Sequence, residues 1–88
     1  MKTLSKQATP IEAEEIAIKA VTDYLNACKI ETTDRVMIGN FLMKLTSVTA
    51  VVMAKNEGSA VAAERLVKTA AFILNKMPKE PASLTAIH

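Results

Sequence analysis

Residues Asp34–Glu57, DRVMIGNFLMKLTSVTAVVMAKNE, read as one long helix, and their apolar pattern decides the fold. Met37, Ile38, Phe41, Leu42, Leu45, Val48 and Val52 recur at three- and four-residue steps, which gathers them on one broad stripe. Val36, Met43, Ala50 and Ala54 fall nearly opposite, beside Gly39 and Ser47. Only a band through Asn40, Lys44 and Lys55 is plainly polar. A helix apolar around most of its girth is expected to be buried on more than one side. Val36–Ala54 approaches the length of a membrane span, but Lys44 sits near its centre. A central lysine costs about 2.5–3.5 kcal/mol on insertion scales, so a buried helix is the better reading and no membrane is expected.

Outward from this stretch, the signals stay helical. Towards the N-terminus, Thr9-Pro10 predicts a helix start, with a hydroxyl to cap free amides and proline at the first helical position. Glu12, Glu14 and Glu15 follow, where the helix dipole favours acid. That first helix is expected to run to Cys28, with Ala17, Ile18, Val21, Tyr24, Leu25 and Cys28 as its stripe and Ile16 and Ala20 off it. Glu15 and Lys19 are spaced to pair, and Lys29 follows the last turn. Thr32, Thr33 or Asp34 is the cap of the central helix. Towards the C-terminus, Gly58 predicts a left-handed stop and Ser59 an immediate new cap. The third helix, Ala60–Met77, has the inner stripe Ala63, Leu66, Val67, Ala70, Ile73, Leu74 and Met77, ended by Pro78 and Pro81.

The resulting expectation is an all-α three-helix bundle with a long central helix, whose second and third helices form an antiparallel hairpin. Residues 1–8 are expected as an arm, 9–78 as a single helical domain and 79–88 as an extended tail whose Leu84 and Ile87 can dock. Leu45, Val48, Leu66 and Ile73 are expected at the core.

Composition narrows function more than motifs do. The net charge of +2 is too weak for a dedicated nucleic-acid binder, and the single Cys28 suits a reducing, cytoplasmic setting. No cofactor, metal site or catalytic group is expected: His88 is the only histidine, Cys28 has no ligand neighbour, and Gly39 and Gly58 are isolated. The expected function is therefore non-enzymatic: a helical adaptor, inhibitor or regulator. Val61, Arg65, Lys68, Phe72 and Lys76 lie away from the third helix's stripe and form the candidate partner surface, because aromatic and arginine side chains concentrate binding energy. Val36, Gly39, Met43, Ser47, Ala50 and Ala54 form a strip of mostly small residues, the candidate interface of a homo-oligomer, most simply a dimer. The competing reading is a small dimeric nucleic-acid regulator that uses Arg65, Lys68 and Lys76.

Overall fold

A computed structural model describes residues 6–30 and 33–82 of the chain. Over these residues the protein is all-α, with α1 at Pro10–Cys28, α2 at Arg35–Glu57 and α3 at Ser59–Lys76, and no strand. The chain divides into two compact units, one around α1 and one around α2 and α3. Expectations for the first five residues, for Thr32 as a cap and for Leu84, Ile87 and His88 lie outside the described residues.

The helix starts follow from side-chain chemistry. Thr9 and Glu12 form a reciprocal capping box: the Glu12 N–H donates to Thr9 Oγ1 at 3.1 Å, and the Thr9 N–H donates to Glu12 Oε1 at 2.9 Å. Two amides that the helix itself leaves unpaired are thereby satisfied. Asp34 does the same for α2, its Oδ1 accepting from the Met37 N–H at 2.9 Å. Each such cap is worth about 0.5–2 kcal/mol. At the other end of α1, Lys29 closes the helix in the left-handed conformation, φ 56 and ψ 42, and donates its N–H to the Asn26 carbonyl.

The joint between α2 and α3 differs from its expectation. Gly58 is not in the left-handed helical region; its φ of 93 and ψ of 155 belong to a region that essentially only glycine enters. It serves both helices at once. Its N–H donates to the Ala54 carbonyl at 2.9 Å, and its carbonyl accepts from the Ala62 N–H at 3.1 Å. Ser59 is therefore already the first residue of α3, and its hydroxyl makes no cap.

α2 and α3 contact one another beside this joint. Arg65 Nε donates to both carboxylate oxygens of Glu57, at 2.8 and 2.7 Å. Ala62 is buried and Leu66 half-buried on α3; Ala50, Met53, Ala54 and Glu57 are half-buried on α2. At 100° per residue, these α2 positions lie about 140° around the helix from the Ile38–Val52 stripe. At the far end, Arg35 donates to the Ala82 carbonyl at 2.9 Å. Inside α2, Thr46 and Thr49 donate their hydroxyls back to the Leu42 and Leu45 carbonyls, both at 2.9 Å, so neither needs an outside partner.

The expected core is only partly formed. Leu45 and Leu66 are half-buried, whereas Val48 is 64% and Ile73 54% exposed. Cover on the α2 stripe runs from Ile38 to Leu45 and stops before Val48, and cover along α3 ends after Leu66. Leu25, Ile38 and Ala62 are the buried apolar residues among those described.

Candidate functional site: exposed apolar faces of α2 and α3

The partner-surface residues come together on one face. At 100° per residue, Val61, Arg65, Lys68, Phe72 and Lys76 fall within about 80° of arc on α3, roughly opposite the Ala63–Met77 stripe. Phe72 is 57% and Val61 46% exposed. A shallow groove of about 250 Å³ runs beside them, lined by Val61, Glu64, Arg65 and Lys68. Two of the three cations already hold carboxylates: Arg65 pairs with Glu57, and Lys68 Nζ lies 3.1 Å from Glu64 Oε2. Surface pairs of this kind contribute about 0–1 kcal/mol to stability. Their larger effect is to lower the net positive charge of the face.

The α2 strip divides. Ala50 and Ala54 are half-buried on the side from which α3 approaches, while Gly39 and Ser47 are exposed with Val36 at 75% and Met43 at 59%. Asn40, Met43, Lys44 and Ser47 line an open depression of about 490 Å³. A Cβ built on Gly39 meets no atom within 4 Å. Gly39→Ala is therefore expected to stabilise the chain by about 0.5–1 kcal/mol, because glycine inside a helix loses more chain entropy than alanine. Thermal melts check this. A loss of stability would mean that another helix approaches Gly39 closely enough to reject a methyl group.

By length and composition α2 is enough to cross a membrane. Its cover within the chain is partial and lies on two sides: Ile38 is buried with Phe41, Leu42 and Leu45 half-buried on one, and Ala50, Met53, Ala54 and Glu57 are half-buried on the other, while Val48, Val51 and Val52 are exposed. α3 repeats the pattern, with Val67 at 67%, Leu74 at 79% and Met77 at 53% exposure. Periodicity finds these stripes but carries no information on which of them a neighbour covers.

On α1, the expected Glu15–Lys19 pair gives way to Lys19–Asp23, with Nζ 2.7 Å from Oδ2. Both acids stand four residues from Lys19, and one ammonium serves the Asp23 side. Ile16 is 62% exposed and lies with Ala20 in a groove of about 620 Å³ rimmed by Lys6, Glu12, Glu15, Lys19 and Asp23. The inner-stripe members Val21, Tyr24 and Cys28 are half-buried and Leu25 is buried, but Ile18 is 62% exposed.

Partial burial pushes the Tyr24 phenol above its ordinary range, with the charge of the Cys28 thiolate and a hydrogen bond to Cys28 acting in the same direction. Phenolate absorbance should accordingly titrate above the ordinary value of about 10, and Cys28→Ala should lower the midpoint. The sign for stability follows. The neutral phenol is the favoured folded form, so its contribution is whole below the unfolded pKa and is lost as pH rises through the folded one.

No group of three or more histidine, cysteine, aspartate or glutamate side chains among the described residues is placed to hold a metal ion. Compared with family models, curated proteins and solved structures, the chain matches none.

Proposed function

We propose that the protein is a small non-enzymatic helical interaction protein that self-associates and binds another macromolecule through the apolar-basic face of α3. One observation carries the reading: Val48, Val52, Val67, Ile73 and Leu74 are each more than half exposed in the single chain. Leaving such side chains in water forgoes about 1.5–3 kcal/mol apiece, which is large against the few kcal/mol that a core of this size supplies. An assembly recovers that energy.

The unit that assembles is an antiparallel α2–α3 hairpin. Three features support it: the one-residue joint at Gly58, the Glu57–Arg65 pair beside it and the Arg35–Ala82 hydrogen bond at the other end. The length difference is consistent. α2 has 23 residues and α3 18, and at 1.5 Å per residue the shortfall of roughly 7 Å is well within the reach of the segment from Met77 to Ala82.

For the second macromolecule, a protein is favoured over nucleic acid, because Arg65 and Lys68 already hold carboxylates. Phosphate binding needs uncommitted cations and shows a steep salt dependence.

Two measurements test the reading. Light scattering of the unmodified chain at micromolar concentration should give a multiple of 9.5 kDa, and a value of 9.5 kDa refutes self-association. A binding protein captured from the source cells should be lost with Phe72→Glu while the assembled mass stays the same. Capture of DNA or RNA instead, weakening steeply with salt, would favour the nucleic-acid regulator.

A further inference from the structure

We infer that the self-association surface joins the exposed Val48–Val52 end of the α2 stripe to the exposed stripe of α3 in a reciprocal dimer. The C-terminal half of α3 in one chain lies along Leu45–Val52 of a second copy, and the second copy's α3 returns the contact. The inference rests on the self-association proposed above and names its surface, which differs from the Gly39–Met43 strip.

Spacing is the first observation. Ala63, Leu66, Ala70, Ile73 and Met77 on α3 alternate steps of three and four, and so do Leu45, Val48 and Val52 on α2, where the stripe passes from half-buried to exposed. That is the 3.5-residue repeat by which two helices interlock along a shared seam. The sizes also complement each other: Ala63 and Ala70 leave hollows on α3, while Val48 and Val52 offer compact branched knobs on α2.

The second observation is position. Beside Gly58, α3 meets α2 on the side of Ala50, Met53 and Ala54, roughly opposite Val48 and Val52, so α3 of the same chain leaves those two valines exposed. A two-fold contact in which α2 meets α3 twice closes on itself and covers both exposed segments.

Area is the third. Val48, Val52, Val67, Ile73, Leu74 and Met77 are exposed by 64, 59, 67, 54, 79 and 53%. Together they amount to roughly 700 Å² per copy, close to the ~800 Å² per partner of a specific interface.

Charge decides between a second copy and a lipid bilayer. Lys44 and Lys55 fall on one side of α2, within about 20° of each other, together with Asn40. The stripe itself carries no charge between Ile38 and Val52. A neighbouring helix covers that stripe and leaves both lysines in water. A bilayer would surround the whole helix and bury Lys44. The dimer also leaves the Phe72 face free, since that face lies roughly opposite the α3 stripe.

The test uses two charge variants of the full chain, Val52→Glu and Leu74→Lys. Both sites are more than half exposed in the single chain, so each variant should keep its helical circular dichroism. Each alone should fall by light scattering from twice 9.5 kDa to 9.5 kDa, because a reciprocal dimer buries its new charge twice. Mixing the two should restore the dimer, since one of its two contacts then pairs glutamate with lysine and the other is unmodified. A mixture that stays monomeric overturns the inference. If the unmodified chain assembles but both variants assemble equally well, this surface is wrong while self-association stands. A monomeric unmodified chain overturns both. Partition of the unmodified chain into phosphatidylcholine vesicles, with no dimer in water, overturns the inference in favour of the membrane.

Discussion

Ile38→Ala should lower the unfolding free energy by about 2–5 kcal/mol, the usual cost of emptying a buried aliphatic site that cannot collapse. Ile38 is 5% exposed, and Leu25 and Ala62 are the other buried apolar residues among those described. With so little else buried, the loss is a large share of the total stability. Urea denaturation reads it as a lower midpoint at constant slope. Val48→Ala and Ile73→Ala give the necessary contrast. Both residues are exposed in the single chain, so their cost in dilute solution should be small, and a cost that grows with concentration would support the proposed self-association. A loss below about 1 kcal/mol for Ile38→Ala would show that its surroundings close over the gap.

Gly58→Ala should cost about 1–3 kcal/mol through the backbone alone. No atom lies within 4 Å of the methyl group it would add, so steric crowding contributes nothing. What remains is the conformation, φ 93 with ψ 155, which an L-residue occupies only under strain. Gly58→Asn sharpens the test. Asparagine tolerates the left-handed helical region but has no such ease here. Chemical melts should therefore rank Asn with Ala, and an Asn variant as stable as the unmodified chain would restore the ordinary left-handed stop.

The helix boundaries were legible because they are set locally. Thr9-Pro10 with Glu12, and Asp34 at the head of α2, carry their own hydrogen-bond partners within three residues. Gly58 was legible as a stop but not as a double cap, since a glycine reveals that an unusual φ is permitted and not which ψ accompanies it. The core was legible only as a set of candidates. Apolar spacing placed Leu45 and Val48 on the same stripe, yet the first is half-buried and the second exposed, because cover depends on where a neighbouring helix runs. The outward placement of Phe72 was readable for the converse reason: it stands off its own helix's stripe, and no local pattern offers it cover. The pairing of Lys19 with Asp23 was not readable, since two acids at equal spacing compete for one ammonium.

The joint at Gly58 also acts as a clutch without slip. One residue separates α2 from α3, and both of its backbone hydrogen bonds are engaged by the helices it connects. No slack is available to absorb a change of chain length there. A single residue inserted at the joint would turn every position of α3 by about 100° relative to α2. Arg65 would swing away from Glu57, and the Phe72 face and the Ile73–Leu74 face would shift together by the same angle. The two faces are thus geared to one another, and a length change at this point re-aims both. Substitutions can tune either face separately, whereas insertions and deletions cannot.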